Sequence, residues 1–207
     1  MVGFYNYTVI LTYMSLVSAV VGMTFAISGD ISMALNCLLF SGLCDTFDGK
    51  VARTRNRTEE EKRFGIQIDS LCDVVSFGVF PAVIGYGIGM DSPLQVAVLA
   101  AFVLAGVIRL AYFNVTEEIR QEKSGSDSVR ENYVGLPITM SALLVPMAFL
   151  LRRVLGDEVF VWFFTVYLAL LAFSFIAPIK VIKPHGKGAY VLLGAGLILF
   201  ACLIFLH

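Results

Sequence analysis

Charge is what this 207-residue sequence has least of: 15% of its residues are charged, against 58% hydrophobic. A soluble domain is roughly half apolar and about a quarter charged. That shortage, with a mean hydropathy of +0.83, excludes an ordinary soluble globule and points to an integral membrane protein. A net charge of −1 supplies no bulk basic surface for nucleic acid. Cysteine is also sparse. Cys37, Cys44, Cys72 and Cys202 form no Cys-x-x-Cys pair and lie in or beside apolar runs, so they read as small buried hydrophobes, with no disulfide framework. The opening MVGFYNYTVILTYMSL has no basic segment ahead of its long apolar run, which argues for a retained first helix rather than a cleaved signal. There is no obvious repeat and no low-complexity tract.

What is present is a series of long apolar runs. Crossing ~30 Å of hydrocarbon takes roughly 20 helical residues. Seven runs qualify or nearly do: 7–28, 31–53, 65–89, 93–115, 134–151, 158–179 and 188–206. The expected fold is therefore all-α, a polytopic helical bundle of about six to seven spans, in a single domain over residues 1–207. Basic residues orient it. Lys50, Arg53, Arg55, Arg57, Lys62, Arg63, Arg109, Arg120, Lys123, Arg130, Lys180, Lys183 and Lys187 share the side of the longer connections, and only Arg152 and Arg153 lie opposite. The rule that Lys and Arg stay inside makes the N-terminus and long loops cytoplasmic. The acidic EEEKR after Thr58 reads as a solvated turn.

The second run ends in an unusual way, with CDTFDGKVARTR from Cys44 to Arg55. Asp48 stands five residues before Arg53, and Asp69 five after Phe64; Asp45 stands eight before, and Asp73 nine after. On antiparallel helices rising ~1.5 Å per residue, the four carboxylates fall in two matched layers. Spacings of three and four put each pair on one helix face. Such a cluster is costly in a membrane unless compensated. Oxygen ligands, with no convergent His or Cys, suit Mg²⁺, Mn²⁺ or Ca²⁺ rather than Zn²⁺, and one or two such ions would favour phosphoryl transfer. Gly49 and Gly65 remove side chains where a ligand could reach the backbone, or where helices pack closely.

DTFDGKVAR followed by GIQIDSLCD, within residues 45–73, resembles the signature of the CDP-alcohol phosphotransferase family, through Asp45, Asp48, Gly49, Ala52, Arg53, Gly65, Asp69 and Asp73. The gap between Arg53 and Gly65 is longer than is usual there. The resemblance implies a cytoplasm-facing helical membrane bundle, usually a homodimer, that displaces CMP from a CDP-linked donor. It implies Asp45, Asp48 and Asp69 as metal ligands and Asp73 as a second-metal ligand or catalytic base. The metal would be Mg²⁺ or Mn²⁺, with two ions expected. Gly49, Ala52, Arg53 and Gly65 would hold the CDP portion.

DVVSFGVFPA, IRLAYFN and GLP, between Asp73 and Pro137, resemble the phosphatidylserine synthase branch, implying CDP-diacylglycerol as donor and L-serine as acceptor. Inositol phosphate or glycerol phosphate are alternative acceptors, and a divalent-cation transporter is a rival class. FYNYTVILT keeps Asn6 and Thr8 but has Tyr5 where proline is usual, so Asn6 is given no role. Arg109 is expected either to clamp a phosphate or serine carboxylate or to pair with an aspartate. Ser76 either meets substrate or bonds its own backbone. Asn114 is expected to cap a helix, Gly135-Leu136-Pro137 to open one, and Lys180, Lys183 and Lys187 to meet lipid headgroups. His185 is given no catalytic role.

Overall fold

In the computed structural model, residues 3–4, 7–52, 54–55, 57–124, 132–182, 194, 196, 199 and 200 are described. Asn6, Arg53, Lys183, His185, Lys187, Cys202 and almost all of the expected 188–206 span lie outside them, so those expectations stay with the sequence. Helix α1 (Ile10–Ile27) follows one 3-10 turn at Tyr7–Val9. It stops at Ser28, whose hydroxyl donates to the Thr24 and Phe25 carbonyls, and at Gly29, which takes φ +88°. Glycine adopts that left-handed conformation without strain. Asp30 then accepts from the Met33 backbone N–H and caps α2 (Ile31–Ala52). The two helices return antiparallel through this tight turn. Small residues line the contact: Ala19 and Ala34 are fully buried, and Ser18 and Ser41 donate to the Cys37 and Ser15 carbonyls. Close backbone approach of this kind drives association where lipid gives no hydrophobic force.

The next span, Glu59–Ile88, is built from three pieces. Thr58 and Glu61 form a capping box at the start of α3 (Glu59–Asp73). A π turn follows at Val74–Val79, then α4 (Phe80–Ile88), which ends on Gly89 at φ +115°. Helix α5 (Pro93–Ser124) starts with proline, where the missing N–H is harmless. It has 32 residues, about 48 Å at 1.5 Å each, so it outruns the bilayer core. The sequence reading ended it near 115; the Glu117–Arg120 ion pair sits within its continuation. Asn114 is thus inside a helix and is not a cap.

Gly135-Leu136-Pro137 leads into a 3-10 turn at Ile138–Met140, then α6 (Ser141–Phe149), short α7 (Arg152–Leu155) and α8 (Asp157–Ile176). Strands β1 (Asn132–Val134) and β2 (Lys180–Ile182) pair antiparallel, which the sequence did not signal. Three residues each is too short to leave a period-two pattern.

Among the described residues, five helical segments are long and apolar enough to cross a membrane: Tyr7–Ile27, Glu59–Ile88, Pro93–Arg120, Ile138–Leu155 and Asp157–Ile176. Helix α2 has comparable length, but its carboxylates lower its hydropathy. Phe77, Phe80, Phe102, Phe160, Phe164 and Phe175 fill the centre, and the large apolar side chains left outside, such as Val17, Leu104 and Phe173, form a lipid-facing surface. At Gly87 a Cβ would lie 2.5 Å from the Ala26 carbonyl oxygen and 3.0 Å from Ile31 Cδ1. Gly87→Val should therefore destabilise the bundle by about 1–3 kcal/mol, read as a lower melting temperature in detergent. Lipid-facing Val20→Ala should leave it unchanged.

Candidate metal centre

The C-terminal part of α2 carries Asp45 and Asp48 on one face, and α3 carries Asp69 and Asp73 on one face. The helices bring these faces together. One oxygen each from Asp45, Asp48 and Asp69 falls within 4.8 Å of the others. The Asp45 and Asp73 carboxyl groups lie against each other, and so do those of Asp48 and Asp69. These contacts are the two layers obtained by counting depth from the helix ends. Asp73, the deeper residue on α3, is buried, and the π turn begins immediately after it. Such turns concentrate at functional sites.

The electrostatics favour a bound cation over four bare carboxylates. Unit like charges about 5 Å apart repel by roughly 3–4 kcal/mol at an effective dielectric near 20. Three such pairs approach a whole protein's net stability, about 5–15 kcal/mol. The donor set suits a hard divalent ion: carboxylate oxygens only, from two rigid helices. Asp69 Oδ1 is buried without a hydrogen-bond partner, an orphaned acceptor that a bound cation would satisfy. The residues therefore fit such an ion.

Sequence reasoning missed Thr12. It is buried in α1, and its hydroxyl donates to Asp48 Oδ2 at 3.2 Å. A lone threonine in an apolar run gives no signal of this; its spacing from the aspartates is set only by the α1–α2 turn. Below it, the Ser15 hydroxyl donates to Ser76 Oγ at 3.5 Å. Ser76 is fully buried in the π turn, so its hydroxyl is joined to α1.

The glycines differ. A Cβ on Gly49 would meet nothing within 4 Å, whereas one on Gly65 would lie 3.1 Å from Arg57 Nη1. The guanidinium of Arg57, which the sequence marks only as one of the basic residues on the side of the longer connections, thus lies over Gly65. Ala52 is half-buried in the last turn of α2. Asn114 donates to Ser70 Oγ at 2.8 Å, tying α5 to the residue beside Asp69. Arg109 is buried, with its guanidinium 5.3 Å from the Phe113 ring centre. Gly135, at φ +78°, passes so close that a Cβ would lie 2.5 Å from the Phe175 carbonyl oxygen and 3.3 Å from Arg109 Nε.

A family model described as CDP-alcohol phosphatidyltransferase matches residues 5–176. The chain is 44% identical over 114 residues to a CDP-diacylglycerol–serine O-phosphatidyltransferase of Saccharomyces cerevisiae, covering 54% of this chain and 40% of that protein. It is 36% identical over 152 residues to a Helicobacter pylori protein of the same name, covering 71% and 58%. An archaetidylserine synthase of Methanothermobacter thermautotrophicus is 32% identical over 142 residues, covering 68% and 56%. The matched stretch thus spans about half the length of these relatives.

Thermal unfolding with added Mn²⁺ or Mg²⁺ tests the centre. The ion should raise the melting temperature of the wild-type chain, and Asp45→Asn, Asp48→Asn and Asp69→Asn should each largely abolish that shift. Thr12→Val should weaken the apparent metal affinity about tenfold, as loss of a ligand-orienting bond does, and Thr12→Ser should restore it.

Proposed function

The chain belongs to the CDP-alcohol phosphatidyltransferase family, and from that premise we propose that it transfers the phosphatidyl group of CDP-diacylglycerol to L-serine, giving phosphatidylserine and CMP. The observation that carries this is the Asp45, Asp48 and Asp69 cluster, with Asp73 against Asp45, beside the open Gly49 at one end of the α2–α3 pair. The names of the relatives support serine as the acceptor. So does the chain's own charge: an acceptor bearing a phosphate would need several cations around it, and the buried basic side chain among the described residues is Arg109.

In this reading α1, α2, the α3–α4 span, α5, the α6–α7 segment and α8 give six crossings. The carboxylate end faces the cytoplasm, where Arg55, Arg57, Lys62 and Arg63 gather. The donor lies in that leaflet with its diphosphate at the aspartates. Asp45, Asp48 and Asp69 hold a divalent cation, Mg²⁺ or Mn²⁺, with Asp73 available to a second. When bound, the metal neutralises the diphosphate and polarises the phosphoryl oxygens. Gly49 and Ala52 leave room for the CDP portion, and Arg53 and Arg57, the latter lying over Gly65, serve as phosphate contacts. Asp73 accepts the serine hydroxyl proton. The serine oxygen forms a bond to the lipid-side phosphorus while the bond from that phosphorus to the CMP oxygen breaks, and CMP leaves with the electron pair. Arg109 holds the serine carboxylate through its planar guanidinium fork. Asn114 steadies Asp69 through Ser70, and Ser76 braces the π turn against α1. The working unit is a homodimer.

Full chain supplied with CDP-diacylglycerol and Mn²⁺ or Mg²⁺ should release CMP with serine and far less with inositol phosphate or glycerol phosphate. Release without acceptor preference would defeat the serine assignment. Asp73→Asn should cut turnover by about 10²–10⁴-fold while the elution profile in detergent stays that of the wild type. Gly49→Ala, whose added methyl comes within 4 Å of no described residue beyond its own helix turn, should fold normally and raise the KM for the donor. Arg109→Lys should raise the KM for serine more than it alters the donor KM; unchanged kinetics would reduce Arg109 to a structural role.

A further inference from the structure

At the end of the bundle away from the carboxylates lies a cavity of about 220 Å³, lined by Ser32, Phe149, Leu150, Arg152, Arg153 and Asp157. Ser32 stands thirteen residues before Asp45 on α2, about 20 Å along the helix, so the two sites share a helix and occupy opposite leaflets. Arg152 is held in place. Its Nε donates to Asp157 Oδ1 at 2.7 Å, and its guanidinium lies 5.6 Å from the Phe149 ring centre. Neither Nη makes a hydrogen bond to a described residue, which leaves that edge of the fork available. Arg153, next in the chain, has no ion pair among the described residues. Asp157 pairs with Arg152, so Arg153 is the lining side chain whose charge no ion pair among the described residues offsets.

Its surroundings are lipidic. Leu151 and Val154 on the same short segment are exposed, Val154 at 81%, and exposed Trp162 sits just beyond the start of α8. Aromatic side chains of that kind settle at the headgroup level. The cavity also lies against the first turns of both α2 and α8, and α8 starts at Gly156 without a side-chain cap.

We propose that this corner binds the phosphate of an anionic phospholipid in the leaflet opposite the carboxylate site. Arg152 and Arg153 would fork the phosphate oxygens, Ser32 would donate to one of them, and Phe149 and Leu150 would carry the start of an acyl chain. The site is independent of the proposed catalysis, so its test needs no turnover.

Full-length chain in detergent, titrated with phosphatidylglycerol or phosphatidylcholine of matched chains, would be followed by native mass spectrometry. The wild-type chain should retain one phosphatidylglycerol in clear preference to phosphatidylcholine. Arg153→Gln should reduce that preference about fivefold, as expected for one interfacial charge, and Arg152→Gln/Arg153→Gln should erase it. Arg153→Lys should keep most of it, which separates lost charge from lost folding. Equal retention of phosphatidylglycerol by wild type and the double variant would overturn the proposal. Displacement of the lipid by millimolar inorganic phosphate would also overturn it, in favour of a free-phosphate site.

Discussion

Four carboxylates held together inside an apolar bundle are the constraint on which this structure turns. Left alone they would push α2 and α3 apart with an energy comparable to the stability of the fold. Everything near them opposes that separation. The Thr58–Glu61 capping box fixes where α3 begins, so that Asp69 and Asp73 arrive at the depths of Asp48 and Asp45. The Gly29–Asp30 turn returns α2 tightly against α1, and Thr12 on α1 reaches Asp48. On the far side of α3, Asn114 on α5 holds Ser70. The acidic helices are thus gripped from two sides by neutral hydrogen bonds, which restrain geometry without cancelling the charge that a cation needs.

The small residues follow from the same requirement. A helix can donate a hydroxyl into its neighbour's functional face only if the backbones come close. Ala19, Ala26 and Ala34, with Ser15 and Ser41, keep the α1–α2–α4 region thin. Gly22 and Gly87 sit where an added Cβ would strike Phe80 and the Ala26 carbonyl. Behind Asp73 the π turn inserts Ser76 between α1 and the core. Local helix geometry is irregular at that one place, and α-helical order resumes at Phe80.

The helical class and the layering of Asp45 with Asp73 and Asp48 with Asp69 were legible in the sequence, because apolar run length and carboxylate spacing are local properties. What was illegible depends on chain segments meeting. Thr12 is one hydroxyl in an apolar run, with no charge to mark it. Arg57 lies over Gly65 across a stretch of sequence with no pattern that pairs them, so it read only as one basic residue among several. The extension of α5 to Ser124 was missed because the apolar run ends near 115 while helix propensity does not; Glu117 and Arg120 extend the helix through an i,i+3 pair. The β1–β2 pairing depends on contact between residues almost fifty positions apart, and neither strand is long enough to announce itself.

The two ends of α2 show why polar groups in such a protein have to be read by depth rather than by count. At one end the carboxylates are brought together by facing helices, and in the proposed reading a hard cation with its anionic ligand meets their charge. At the other end Arg152 is fixed by Asp157 and Phe149, while Arg153 stays at the surface, where headgroups can meet it. The same helix therefore presents negative charge to one leaflet and receives positive charge from its neighbours at the other. An anionic lipid is held off by bare carboxylates and is drawn to the arginine corner. At the carboxylate end it can approach only together with a cation. Binding there is consequently conditional on the metal, whereas binding at the opposite leaflet is not, and that difference follows from the placement of six side chains along about 30 Å of membrane.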